Sequence, residues 1–261
     1  MIGVFDSGIG GLTVAKAIMA ALPEYDILYF GDTARTPYGS KSPHTVIAYS
    51  KKNVEFLVQN GAKIIVIACN TASSVASTSL AASFSQPVFE VITPGAQMAV
   101  AATRVGRIGV IGTRATIDSG IYQQKIKTAD PDVRVFSAAC PLLVPLVEEG
   151  WLKRPETRMI VKKYLHPLKM RKIDTLILGC THYPVLKLLI QTKIGKRVTI
   201  IDSSVSVASQ VKAFFENHPD MDAQMGKNRQ YRFYVSDTAG QFEKTAHLVL
   251  GRRVEIRQVD V

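Results

Sequence analysis

Two stretches of this chain follow one plan, and together they restrict what it can fold into. Residues 63–74 read K-I-I-V-I-A-C-N-T-A-S-S, and residues 174–185 read D-T-L-I-L-G-C-T-H-Y-P-V. Each is a short, nearly continuous apolar run rich in Ile, Val and Leu, the signature of a strand buried on both faces of a parallel sheet. Each then stops on a small residue, a cysteine and a hydroxyl or amide residue. Cys69 and Cys180 are thereby expected just past the carboxyl ends of two buried strands, where open α/β sheets hold their ligands.

The rest of the chain alternates in the same way. An apolar strand at 1–5 leads through Asp6-Ser7-Gly8-Ile9-Gly10-Gly11 into a helical pattern over 12–22. Strands are expected at 26–30 and 87–91, and helices at 43–60 and 72–84. Thr93-Pro94-Gly95 reads as a break, after which the pattern restarts. It gives a helix over 96–104, a strand at 107–111, one helix over 116–128 and a strand at 133–137. Two helical stretches across 141–169, the Cys180 strand, a helix after Pro184 and a strand at 197–201 follow. Ile2-Gly3-Val4-Phe5 answers Ile108-Gly109-Val110-Ile111, and the strands of the first half recur about 105 to 110 positions later, which points to an internal duplication. A helix over 205–217, a strand at 231–235, a helix over 239–250 and a strand at 254–258 remain to complete the first unit. The expectation is an α/β protein of two similar, pseudo-symmetric domains with mainly parallel sheets and the active site in the cleft between them. Residues 1–93 plus 205–261 form the first domain and 94–204 the second.

At 261 residues, 47% hydrophobic and 20% charged, the chain has the makeup of an ordinary globular protein with a sizeable core. No apolar run approaches the roughly 18 residues of a membrane span, and 1–5 is too short for a signal-peptide core, so a cytoplasmic protein without membrane contact is expected. Three irregularly spaced cysteines make no disulfide framework. The net charge of +11 comes from scattered Lys and Arg without aromatic interleaving. It suits a solvated basic surface, or attraction of a small anion, better than a nucleic-acid role.

Two thiols facing one cavity can act as opposed general base and general acid. Ordinary cysteine titrates near about 8.5, so a modest shift gives thiolate near neutral pH. A cysteine closing an apolar strand is ordinarily a small buried residue and no more, but the matched contexts of Cys69 and Cys180 argue against that. Cys140 lacks such a context and reads as structural. The glycines of residues 6–11 let backbone approach a ligand, and helix-terminal N–H groups favour an anion. Their spacing is not G-x-G-x-x-G and no Walker lysine follows, which disfavours a nucleotide. Asp6 can recognise an ammonium group or tune a thiol. His182 either polarises Cys180 or merely caps and packs a turn. No further Cys/His pair has ligand spacing, so no metal is expected.

Residues 6–11, Gly31-Asp32-Thr33-Ala34-Arg35-Thr36-Pro37-Tyr38-Gly39, Ala68-Cys69-Asn70-Thr71-Ala72-Ser73 and Gly179-Cys180-Thr181-His182-Tyr183-Pro184 together resemble the cofactor-independent aspartate/glutamate racemase family in order and chemistry. The resemblance implies interconversion of L- and D-glutamate with no cofactor, a role supplying D-glutamate for bacterial peptidoglycan, and frequently a homodimer. It makes Cys69 and Cys180 the acid/base pair, with Asp6 assisting Cys69 and His182 assisting Cys180. The family's acidic residue falls on Glu148, with Glu149 the near rival. Asp6, Ser7, Tyr38, Gly39, Asn70, Thr71, Thr181 and His182 match positions that bind the substrate's carboxylates and amino group. Some members carry an N-terminal extension tied to activation by a cell-wall precursor; with a first strand beginning at Met1, that regulation is not expected here. Some affect DNA gyrase, and the charge of +11 does not by itself establish a nucleic-acid or gyrase interaction. The rivals are malonate decarboxylation, racemisation of aspartate or hydantoins and, outside catalysis, a carboxylate-binding or nucleic-acid-associated regulatory module.

Overall fold

The buried runs of the sequence become the central strands of two parallel sheets in a computed structural model that describes residues 1–238 and 242–261. The strands are β1 (Ile2–Asp6), β2 (Ile27–Gly31), β3 (Ile64–Ile67), β4 (Val88–Glu90), β5 (Arg107–Gly112), β6 (Arg134–Ala139), β7 (Thr175–Gly179), β8 (Thr199–Asp202), β9 (Tyr231–Val235) and β10 (Ile256–Gln258). The first sheet runs β10-β9-β2-β1-β3-β4 and the second β6-β5-β7-β8. Without β9 and β10 the two windings are the same, each opening strand lying between its second and third. The duplication read from the sequence is therefore a duplication of topology. The closing strands β9 and β10 extend the first sheet beyond β2, in parallel.

Side chains alternate across each strand, and the two faces feed different cores. Ile2 and Val4 of β1, Ile64 and Val66 of β3, Ile108 and Val110 of β5, and Ile177 of β7 all enter one cluster. Helices Leu12–Ala21, Ile92–Ala102 and Ser203–Asn217 contribute to the same cluster and so lie between the two sheets. The opposite faces, Phe5, Ile65 and Ile67 on one sheet and Ile111, Leu176 and Leu178 on the other, pack into two separate outer cores. All four residues of β3 are fully buried, and each such Ile or Val contributes about 1.5–3 kcal/mol relative to exposure. This shared inner layer holds the carboxyl ends of β1, β3 and β7 close together.

Two expected features differ. Thr93-Pro94-Gly95 does not break the chain but lies in the first turn of helix Ile92–Ala102. Pro94 has no N–H to leave unpaired there, and the Glu90 carboxylate accepts from the backbone N–H groups of Ile92, at 2.5 Å, and Thr93, at 2.9 Å. The single helix expected over 116–128 is two, Arg114–Asp118 and Ile121–Ala129, separated where Gly120 takes φ +67°. The junctions expected at 93/94 and 204/205 both fall inside helices, Ile92–Ala102 and Ser203–Asn217. The last helix is described over Phe242–Leu250; residues 239–241 of the expected span lie outside the described residues. Among the described residues no helix is long and apolar enough to cross a membrane.

Candidate active site

Strand β3 ends at Ile67, two residues before Cys69, and helix Asn70–Ser83 begins one residue after it. Cys69 is that helix's N-cap, its Sγ accepting from the backbone N–H of Ala72 at 3.5 Å. A helix N-terminus favours a thiolate, yet Cys69 is only 5% exposed, and burial, reinforced by the nearby Asp6 charge, pushes its pKa up to about 12. As a thiol it donates to Ser7 Oγ at 3.6 Å.

Cys180 closes β7 in the same way but has different company. His182 Nδ1 lies 3.8 Å from Cys180 Sγ, and His182 Nε2 lies 3.0 Å from Glu148 Oε1. Burial opposes a charge on His182, but its bonds to Cys180 and Glu148 outweigh burial and raise its pKa to about 10. At neutral pH the imidazole is thus a cation held between the sulfur and the carboxylate. Glu148, the last residue of helix Leu143–Glu148, makes this bond.

Cys69 and Cys180 line one cavity with Ser7, Tyr38, Asn70, Thr71, Thr181 and His182. Gly39 lines it too, so of the expected residues only Asp6 and Glu148 stand behind the lining. The cavity measures about 20 Å³, room for roughly one water. A second cavity of about 660 Å³ adjoins it, sharing Pro37, Gly39, Thr71, Thr113 and Val144.

Asp6, fully buried at the end of β1, accepts from the N–H groups of Gly8 at 3.1 Å and Gly11 at 3.0 Å and from Thr181 Oγ1 at 3.3 Å. Burial raises its pKa despite these bonds and the nearby His182. Among the described residues it makes no hydrogen bond to Cys69; it pins the Ser7 turn on one side and Thr181 on the other. Tyr38 offers its ring to the cavity, since its hydroxyl donates to Asp32 Oδ2 at 2.5 Å and accepts from Asn53 Nδ2 at 3.0 Å. Gly10 is required by close approach: a Cβ there would collide with Thr181 Oγ1 and lie 2.5 Å from His182 Nδ1.

Three features escaped the sequence reading. Thr36 Oγ1 is buried in the lining without a partner among the described residues. Thr71, Thr113 and Thr116 form a triangle of hydroxyls with sides of 3.0, 3.3 and 3.0 Å, tying one half to the other. Tyr122 donates to Asn70 Oδ1 at 2.7 Å, leaving Asn70 Nδ2 buried beside the cavity with no partner among the described residues. The duplication carried the signal for Thr113, which follows β5 as Ser7 follows β1. Nothing local pointed to Tyr122.

This arrangement offers two thiols in one closed space, one beside a buried cation and the other buried as an acid, with hydroxyl and amide groups between them. The profile of the Asp/Glu/Hydantoin racemase family matches residues 12–211. A glutamate racemase of Syntrophus aciditrophicus is 47% identical over 252 residues, covering 96% of this chain and 93% of that protein. The crystal structure of glutamate racemase isoform RacE1 from Bacillus anthracis is 40% identical, with a TM-score of 0.94 over 100% of this chain and 97% of that one. Glutamate racemase from Francisella tularensis, solved in complex with D-glutamate, is 36% identical with a TM-score of 0.91 over 100% and 97% of the two chains. This chain therefore belongs to the Asp/Glu/hydantoin racemase family.

Proposed function

We propose that this protein racemises glutamate by exchanging the Cα proton between Cys69 and Cys180. The single observation that carries the reading is the pair of buried cysteines lining one cavity at the ends of topologically equivalent strands. The likeness to glutamate racemases, one of them bound to D-glutamate, supports the choice of substrate.

In one direction a thiolate on one side removes the proton from Cα, and the thiol opposite gives its own proton to the other face. The reaction leaves the two sulfurs with their protonation exchanged, so no proton is gained or lost. The cationic His182 equips the Cys180 side to carry negative charge, with Glu148 fixing the ring. Cys69, held as a thiol by burial, is equipped to donate. The carbanion formed at Cα is difficult to support in water, so a closed cavity with prearranged donors is what the chemistry needs. Asn70 Nδ2 and Thr36 Oγ1, buried without a partner among the described residues, are donors on residues that line that space. Asp6 acts from behind by holding the Ser7 turn and Thr181.

Each sheet with its helices acts as one domain, and the cavity opens by their separation. The small cavity and the larger one adjoining it support this division. By resemblance the D-glutamate product supplies peptidoglycan synthesis, and the enzyme works in the cytoplasm as a homodimer without a cofactor.

The test is incubation of the purified protein with L-glutamate in D₂O, following the α-proton by NMR and optical rotation by polarimetry. Exchange together with decay of rotation is expected. Neither change, with aspartate or a malonate reacting instead, would overturn the substrate assignment while leaving the fold in place.

A further inference from the structure

The basic charge of the chain is not consumed by the cysteine site, and part of it gathers in one place. A concavity of about 530 Å³ is lined by Arg229, Arg232, Arg252, Arg253 and Arg257, with Glu255 as the acid in the lining. Two turns bring these residues together. Arg229, at φ +59°, precedes β9, and Arg252 and Arg253 precede β10. Because β9 and β10 run parallel, their preceding turns meet at the amino-terminal end of the sheet. Cys69 follows the carboxyl end of β3 in that same sheet, so the groove faces away from the catalytic cavity.

The guanidinium groups are not neutralised locally. Glu255 is already taken by Arg257 Nε at 2.8 Å, and Arg252 lies over the Tyr231 ring, 5.0 Å from its centroid. Among the described residues Arg229 and Arg253 have no acidic partner. Like charges collected in a recess repel one another and raise the local potential, a cost that a bound anion removes. Arginine's planar fork matches the oxygens of phosphate two at a time, and the volume falls in the range of ordinary ligand sites.

We propose that this arginine-lined groove binds the phosphate groups of a polyanion, at a site separate from the racemisation cavity. The shared chemistry is phosphate oxygen, presented either by a small polyphosphate or by the backbone of a nucleic-acid strand.

The experiment titrates the full chain with inorganic tripolyphosphate by calorimetry and with a fluorescent single-stranded oligodeoxynucleotide by anisotropy, each at several salt concentrations. The comparison protein is the double variant Arg229→Gln/Arg253→Gln. Binding of at least one probe, weakened tenfold or more in the variant while racemisation is unchanged, is expected. If the strand binds, the variant should also lower its salt slope by about one to two units, because each lost phosphate contact removes roughly 0.7. Tripolyphosphate binding alone identifies a small polyphosphate site, and strand binding alone identifies a nucleic-acid site. Binding of neither probe below millimolar concentration, or equal binding by the variant, overturns the proposal. The outcome is independent of which acid the enzyme racemises, since the variant changes only arginines at the end of the sheet opposite Cys69.

Discussion

The Tyr122 hydroxyl, from helix Ile121–Ala129 of the second half, donates to Asn70 Oδ1 of the first half across 2.7 Å, and both residues are buried. With its oxygen held, Asn70 must turn its NH₂ toward the cavity, where that group has no partner among the described residues. An unpaired buried amide is costly unless something arrives to accept from it. The bond thus prepares Asn70 for a ligand and ties closure of the two halves to that preparation.

Tyr122→Phe keeps the ring and removes only this donor. A neutral hydrogen bond contributes about 1 kcal/mol, so KM for glutamate should rise about fivefold with a smaller change in kcat. Steady-state kinetics in both directions measures the split. An unchanged KM would mean that Asn70 holds its orientation without Tyr122.

Cys69→Ser and Cys180→Ser should each lower racemisation more than about a hundredfold, because a hydroxyl is far harder to deprotonate than a thiol. Single-turnover exchange in D₂O separates the two sides, since each variant retains one thiol. Near-normal turnover in either variant would refute the two-thiol mechanism.

His182 links the site to stability. Its folded pKa, about 10, lies above the ordinary value of 6.5. A group bound more tightly as its protonated form stabilises the fold fully below its unfolded pKa and loses that contribution as pH rises through the folded one. The folded protein should therefore lose stability as pH rises from 6.5 toward 10, by on the order of a few kcal/mol. Urea denaturation between pH 6.5 and 9 reads this before Cys69, whose folded pKa is raised from 9.0 to about 12, adds a loss of the same sign. His182→Asn should flatten the slope; an equal slope in the variant would assign the pH dependence elsewhere.

The sequence made the central strands legible because β3 and β7 are buried on both faces, and burial on both faces leaves an apolar run with no alternation to misread. The cysteines were legible because they close those runs. Pro94 misled because proline is read as a stop, although in a first turn capped by Glu90 it costs the helix nothing. Tyr38 was assigned to the ligand as a residue, but only three dimensions reveal that its hydroxyl is committed to Asp32 and Asn53. Tyr122 could not be read at all. It is an apolar-face residue of a plain amphipathic helix, and its partner Asn70 lies in the other half of the chain.

Gly10→Ala tests whether the His182 position matters to the chemistry. The added Cβ would meet the Thr181 hydroxyl and the His182 ring, at 2.5 Å from Nδ1 and 2.8 Å from Cε1. These are side-chain atoms, so the fold can yield without moving a strand. Overpacking of this kind costs about 1–3 kcal/mol, so the melting temperature should drop by no more than about 2–12 °C. The adjustment has to come from the two groups that matter most here. Thr181 turns off Asp6, or the His182 ring swings away from Cys180, which it now meets at 3.8 Å. Activity should therefore fall more than about tenfold in a variant that still folds, a loss out of proportion to its stability. Thermal melting and racemisation measured on the same preparation decide it: full activity in a folded Gly10→Ala protein would show that the contact between His182 and Cys180 does not set the rate.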